Sequence, residues 1–128
     1  MTTRVALVTG AARGIGAATV TALAADGWRV VAVDRCADDP ALPYPLGSRD
    51  ELDRLVAAAR GPAGDAVAVA VQADTRDPDA LAAAVRLAEE RWGGLDAAVA
   101  VAGVIANRSG AAHPERTRSV RAAWPPRP

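Results

Sequence analysis

The sequence lacks lysine and phenylalanine altogether, and its 128 residues include one cysteine, one histidine and one tyrosine. Because all fifteen basic residues are arginine, chemistry that depends on a lysine amine is excluded for this chain. The single cysteine, Cys36, has no partner for an internal disulfide, which is typical of a reducing compartment. No apolar run approaches the ~18–20 residues of a membrane helix, and the N-terminus lacks the apolar core of a signal peptide. We therefore expect a soluble, cytoplasmic protein without a membrane partner.

The charges divide the chain into two unequal parts. Residues 1–106 hold ten arginines and fourteen acids, a net charge of −4, while residues 107–128 hold five arginines and one acid, a net charge of +4. The second part also has four prolines and no helical or strand period. We predict a folded domain over residues 1–106 and a disordered or frame-disrupted tail over residues 107–128. The tail has one tryptophan and no repeating pattern, so we do not expect a nucleic-acid partner.

Within the first part, four strand-like apolar runs alternate with three segments of helical period. The strand-like runs are residues 4–9, 29–34, 66–72 and 95–103. The helical segments are residues 14–27, a segment that opens at Ser48 and ends at Gly61-Pro62, and residues 77–93. Apolar residues recur at helical spacing in the first segment (Ile15, Val20, Leu23 and Ala24), form an apolar stripe in the second (Leu52, Leu55, Val56 and Ala59) and face inward in the third (Leu81, Val85 and Ala88). This order predicts an α/β fold with a parallel sheet covered by helices on both faces.

Local signals mark where these helices begin and end. Ser48 is followed three residues later by Glu51, which is the spacing of a capping box. Asp77 is placed as an N-cap with Pro78 at the first helical position, and Gly93 stops that helix. Between the second strand and Ser48 lies an unusually long connection, residues 35–47, with three prolines.

The stretch TGAARGIG, residues 9–16, joins the first strand to the first helix and contains three glycines. Gly10 would allow a tight turn, Gly14 would let the backbone approach a ligand, and Gly16 would let the helix pack closely on the strand. The exposed N–H groups and positive dipole end of the helix then suit a pyrophosphate. The spacing is G-x-x-x-G-x-G instead of G-x-G-x-x-G, and a glycine-rich turn without a ligand is the alternative.

A carboxylate stands at the end of the second strand. Asp34 lies 20 residues after Gly14, where it can accept hydrogen bonds from both ribose hydroxyls of NAD. It would repel a 2′-phosphate, so the pattern favours NAD over NADP, although Arg13 and Arg35 stand near enough in sequence to reach a phosphate. The alternative is an ordinary exposed acid at a strand end.

Together these residues resemble the N-terminal half of the short-chain dehydrogenase/reductase family. The resemblance runs from residue 4 to about residue 106 and is carried by residues 9–16, by Asp34, by the pair Asp74-Thr75 and by the run VAVAG at 99–103. It implies a Rossmann-type doubly wound sheet, truncated to four strands in the order 3-2-1-4, with the disordered tail after it. It also implies NAD-dependent hydride transfer between the cofactor and an alcohol or ketone, and a homotetramer in full-length members but not in this chain.

The resemblance further implies which residues meet the cofactor. Asp74 and Thr75 match positions that border the adenine. The last strand ends in Ala100-Val101-Ala102-Gly103, where the family has an asparagine, so only backbone contacts are retained there. The expected cofactor-binding residues are Gly10, Arg13, Gly14, Ile15, Gly16, Asp34, Arg35, Cys36, Asp74, Thr75, Ala102 and Gly103.

The long connection at residues 35–47 is similar to that of the mycofactocin-associated branch of the family. In that branch an insertion after the second strand covers a tightly held NAD. Cys36 would then lie beside the adenosine ribose, or else serve as a small filler residue.

The family's catalytic residues have no counterpart in this sequence. Members use a serine, a tyrosine and a lysine four residues after the tyrosine. Here the one tyrosine, Tyr44, lies in the proline-rich loop with Ser48 four residues later. We assign no catalytic residue and no metal ligand. The chain is thus expected to be a truncated family member without turnover of its own, the alternative being a non-catalytic NAD(H)-binding module or a non-functional gene fragment.

Overall fold

The computed structural model describes residues 3–103, and the predicted tail and its boundary at residue 106 lie outside that range. Strands and helices alternate along the described chain. The elements are β1 (Val5–Thr9), α1 (Gly14–Ala25), β2 (Arg29–Asp34), α2 (Arg49–Ala58), β3 (Ala68–Gln72), α3 (Pro78–Trp92) and β4 (Ala97–Ala100).

The four strands form one parallel sheet in the order β3-β2-β1-β4, which confirms the predicted topology. β1 pairs with β2 through Val5↔Arg29 to Thr9↔Val33, and with β4 through Ala6↔Ala97 to Thr9↔Ala100. The chain leaves β1 toward one side of the sheet and reaches β4 on the other. The carboxyl ends of β1 and β4 therefore border the crevice at which open α/β sheets bind ligands.

Helices cover both faces of the sheet because the β2 side chains alternate between them. Val30 and Ala32 pack in one buried cluster with residues of α1 and α2, whereas Val31 and Val33 pack in another with residues of α3. β1 and the middle of β2 are fully buried, which explains their continuous apolar sequences. β4 exposes alternate residues and lies at one edge of the sheet within the described residues.

The helix starts follow the predicted signals. The Ser48 hydroxyl accepts a hydrogen bond from the Glu51 N–H at 3.2 Å, and Asp77 accepts from the N–H groups of Asp79 and Ala80. The capping box is only half formed, because the Glu51 carboxylate bonds to the Ser48 hydroxyl and to Arg13. Gly93 adopts a left-handed conformation after α3, as expected for a C-terminal stop.

Several strands and helices are shorter than predicted. β4 ends at Ala100, three residues early, because its pairing partner β1 ends at Thr9. α2 ends at Ala58, before Gly61-Pro62.

In α3 the buried residues are Ala84 and Ala88, while Leu81 is only partly buried. Among residues 3–103, no helix has both the length and the apolarity that a membrane crossing requires.

Candidate functional site

A cleft of about 610 Å³ opens at the carboxyl ends of the strands. The segments that follow β1, β2, β3 and β4 all contribute to its walls, and so does the long connection between β2 and α2. Its lining residues are Gly10, Arg13, Ile15, Val33, Asp34, Arg35, Ala37, Asp39, Tyr44, Pro45, Leu46, Gly47, Ala73, Asp74, Thr75, Arg76, Val101, Ala102 and Gly103. The cleft therefore occupies the crevice that the strand order defines.

The glycine turn forms the floor of the cleft beside β1. Gly10 and Gly14 have φ values of +69° and +60°, a backbone conformation that residues with a side chain rarely adopt. A Cβ at Gly10 would also lie 2.8 Å from the backbone of Ala102, so the end of β1 and the segment after β4 touch through this glycine. At Gly14 no atom of the described residues, apart from the adjoining backbone, lies within 4 Å of the Cβ position, which leaves that side of the turn open.

Gly16 brings α1 against the turn itself. A Cβ there would clash with the Gly10 carbonyl oxygen and lie 2.6 Å from its carbon. Backbone cannot move away as a flexible side chain can. The close approach of helix and strand that the sequence predicted at this position is thus present.

The N-terminus of α1 differs from those of the other two helices in having no side-chain cap. Its N-cap, Arg13, makes no capping hydrogen bond, and its first turn contains no acid. The first N–H groups of a helix have no partner within it, and they lie at its positive end. This end of α1 is therefore suited to an anion in the cleft.

Ile15 is one of the apolar residues that recur at helical spacing in α1, but it does not lie on the buried face of that helix. Its side chain is 76% exposed and lines the cleft. The inward face begins instead with Gly16 and continues through Val20 and Ala24.

Asp34 is held at the end of β2 by two backbone groups. Its Oδ2 accepts from the Ala12 N–H at 3.0 Å, and its Oδ1 accepts from the Cys36 N–H at 2.9 Å. A Cβ at Gly47 would lie 3.5 and 3.6 Å from the two oxygens, so the end of the long connection passes beside them. A carboxylate has about four acceptor positions, so two remain for a ligand.

Arg13 anchors the long connection over the glycine turn. Its guanidinium donates to the carbonyl oxygens of Leu46 at 2.7 Å and Pro45 at 3.3 Å, and it pairs with Glu51 at 2.8 Å. The hydrogen bond from Arg13 lowers the pKa of the Glu51 carboxyl. Asp38 holds the same segment from within by accepting from the Leu46 N–H at 2.8 Å. Arg13 is thus engaged by the protein, which disfavours the phosphate contact considered from sequence.

Replacing Arg13 with alanine is expected to loosen this segment. Amide exchange at Leu46 should accelerate roughly fivefold, as expected for losing about 1 kcal/mol from a partly exposed interaction. Hydrogen exchange followed by NMR measures it. The control is Arg49→Ala, which breaks an exposed pair with Asp53 and should leave Leu46 unchanged. Equal exchange rates in both variants would contradict the anchoring role.

Four charged residues form a second group at the cleft wall. Arg35 lies 3.4 Å from Asp39 and 3.6 Å from Asp74, and Arg76 contacts Asp74 at 2.7 Å. Hydrogen bonds from the Arg76 side chain and backbone hold the pKa of Asp74 well below its usual range. The same carboxylate raises the pKa of Arg76. Asp74 and Arg76 therefore both stay charged at neutral pH.

Nine of the twelve residues expected to contact a cofactor line the cleft, and Gly14, Gly16 and Cys36 do not. The two glycines shape the turn below it. The Cys36 N–H donates a hydrogen bond to Asp34, and the φ of Cys36 is +57°. The Cys36 side chain packs against the core cluster, which favours the alternative that it is a small filler residue. Burial, and then the Asp34 charge, raise the pKa of the Cys36 thiol.

Several other lining residues were not predicted from the sequence to contact a cofactor. Asp39, Tyr44 and Gly47 come from the long connection, and Arg76 comes from the segment after β3. The length of the connection was a signal that this region has a special role. No local pattern identified which of its residues would turn toward the cleft.

A family model described as short chain dehydrogenase matches residues 4–122. An uncharacterized oxidoreductase from Mycobacterium tuberculosis is 40% identical over 107 residues, covering 84% of this chain and 39% of the relative. This chain thus spans about two fifths of the length of that curated relative.

Solved structures give the same result for the fold. Carveol dehydrogenase from Mycobacterium avium, in complex with NAD, matches with a TM-score of 0.75 and 34% identity, over 84% of this chain and 38% of that one. A short chain dehydrogenase from Mycobacterium paratuberculosis, bound to NAD, matches with a TM-score of 0.73 and 41% identity, over 80% and 38%. With its fold, its glycine turn and a family match over most of its length, the chain belongs to the short-chain dehydrogenase family.

Proposed function

We propose that the cleft binds NAD and that the chain forms the cofactor-binding part of an oxidoreductase that interconverts alcohols and ketones. The observation that carries this proposal is the position of Asp34. Its carboxylate lies in the same cleft as the glycine turn and the uncapped end of α1. NAD-bound structures of two similar proteins support the choice of cofactor.

The pyrophosphate fits the start of α1. Two negative charges there would meet N–H groups that have neither a side-chain cap nor an acidic neighbour in the first turn. The open side of Gly14 leaves room for the approach. Gly16 keeps the helix close to β1, so that these N–H groups face the cleft end of the strand.

The adenosine half fits between the ends of β2 and β3. Asp34 would accept hydrogen bonds from the ribose hydroxyls, with its orientation already fixed by Ala12 and Cys36. Asp74 and Thr75 would border the adenine, and both line the cleft. Ala102 and Gly103 would contribute backbone contacts toward the nicotinamide half. NAD, when bound, supplies the position that accepts or donates hydride.

We also propose that the chain belongs to the mycofactocin-associated branch. Support comes from the connection after β2, which contributes Tyr44, Pro45, Leu46 and Gly47 to the cleft wall and is anchored by Arg13. In that position it would cover the adenosine half and slow the release of NAD. Cytoplasmic location, and alcohols or ketones as substrates, stay predictions.

Calorimetric titration of the purified 128-residue chain with NAD tests this proposal. We expect one site per chain, with ADP-ribose retaining binding and nicotinamide mononucleotide losing it. We also expect no reduction of NAD when alcohols are added, because the sequence offers no lysine to pair with a catalytic tyrosine. Absence of NAD binding would overturn the binding proposal. Alcohol-dependent formation of NADH would overturn the expectation of no turnover.

A further inference from the structure

Arg35 follows Asp34 directly and lines the same cleft, so its guanidinium is a candidate partner for a phosphate on the 2′ oxygen of a ribose bound at Asp34. The structure gives this guanidinium two carboxylate neighbours from different loops. Nη1 lies 3.4 Å from Asp39 Oδ2, and Nε lies 3.6 Å from Asp74 Oδ2. Arg35, the two carboxylates and Asp34 all line the cleft.

The two carboxylates are not equally available to Arg35. Asp74 is already engaged by Arg76, whose Nη2 lies 2.7 Å and whose Nε lies 3.1 and 3.2 Å from its oxygens. Asp39 has no second arginine within ion-pair distance among the described residues. Asp39 is therefore the main counter-charge of Arg35.

Asp39 is also held in place. Its Oδ1 accepts from the Ala41 N–H at 2.9 Å, which directs Oδ2 toward Arg35. That backbone hydrogen bond, and then the one from Arg35, lower the pKa of Asp39, so the carboxylate is ionised at neutral pH. The side chains of Arg35 and Asp39 are 35% and 27% exposed, so the pair is partly screened from water.

We propose that Asp39 is a specificity-determining residue, which keeps Arg35 in an ion pair and so prevents the cleft from accepting the 2′-phosphate of NADP. A 2′-phosphate would have to displace Asp39 from the guanidinium while facing the charges of Asp34 and Asp74. The preference for NAD thus depends on two carboxylates, one that receives the sugar and one that neutralises the adjacent arginine. This inference rests on the proposed NAD function.

The test is the ratio of the NADP and NAD dissociation constants, measured by calorimetry on the 128-residue chain. In Asp39→Asn the amide oxygen can still accept from Ala41, while the charge that holds Arg35 is removed. We expect the ratio to fall by at least about tenfold, equivalent to about 1.4 kcal/mol. If this variant unfolds by circular dichroism, Asp39→Ser is used, because its hydroxyl can make a similar local hydrogen bond.

Two controls separate the mechanism from a general change in charge. Asp53→Asn frees Arg49 outside the cleft and should leave the ratio at its original value. Adding Arg35→Ala to Asp39→Asn should restore the original ratio, because the released cation is removed.

The outcomes separate this inference from the function on which it rests. If the unmodified chain does not bind NAD, both are overturned. If it binds NAD but Asp39→Asn leaves the ratio unchanged, or Arg35→Ala does not reverse the change, the role of Asp39 is overturned and the proposed function stands.

Discussion

Gly16→Ala is expected to destabilise the chain by about 3 kcal/mol, near the upper end of the usual cost of overpacking. The added methyl group would meet the Gly10 carbonyl and the Ala11 Cα, at 2.6 Å from the carbonyl carbon and 3.0 Å from the Cα. Both neighbours are backbone in the turn that ends β1, so relief requires moving α1 away from the sheet. Domains of this size have only about 5–15 kcal/mol of stability, so the urea midpoint should fall markedly.

The matched control for this variant is Gly94→Ala. Within residues 3–103, no atom beyond the adjoining residues lies within 4 Å of the Gly94 Cβ position, and the φ of Gly94 is not in the left-handed region. We expect that variant to change the free energy of unfolding by less than about 0.5 kcal/mol, as for other substitutions away from special features. Similar midpoints for the two variants would mean that Gly16 is not a packing contact between helix and turn.

Asp34→Ala is expected to weaken NAD binding by about 13- to 160-fold, because hydrogen bonds to a charged group contribute about 1.5–3 kcal/mol. The substitution also releases the N–H groups of Ala12 and Cys36, so the turn loses part of its support. Asp34→Asn keeps oxygen at one position and should lose less affinity. Calorimetry with NAD measures both variants.

A chemical comparison isolates the sugar contact from the supporting role. The unmodified chain should bind ADP more tightly than 2′,3′-dideoxy-ADP, because only ADP carries the two hydroxyls. In Asp34→Ala this preference should disappear, whereas Asp53→Asn should retain it. If Asp34→Ala still prefers ADP to the same degree, the carboxylate does not receive the ribose.

The features that could be predicted from sequence are those that depend on local requirements. The three glycines and the apolar β1 run lie within twelve residues. Together they predict a tight turn after the strand, followed by a helix that packs closely against that strand. The helix starts at Ser48 and Asp77 were predictable because each capping side chain accepts a hydrogen bond from an N–H group no more than three residues further along the chain. Asp34 was predictable as the last residue of an apolar strand.

The features that could not be predicted depend on contacts between distant segments. Arg13 and Glu51 are 38 residues apart, and no local pattern pairs them. Arg35 meets Asp74 only because β2 and β3 are neighbours and their following loops turn toward each other. Sequence therefore left both arginines as candidates for a phosphate, whereas the structure places both beside carboxylates.

Ile15 illustrates a different limit. Its helical spacing is correct, but periodicity does not reveal where the sheet beneath a helix ends. The first apolar side chain of α1 is exposed and lines the cleft, whereas Val20 and Ala24 further along the helix are buried.

The most direct test of NAD binding at the glycine turn is an amide-resolved NMR titration of the 128-residue chain. On addition of NAD, we expect the largest shifts at residues 14–17 and 34–36, with smaller ones at residues 73–76, and nicotinamide riboside should reproduce none of them. Saturable binding that leaves the amides of residues 14–17 and 34–36 unshifted would contradict recognition of the dinucleotide by the start of α1 and the end of β2.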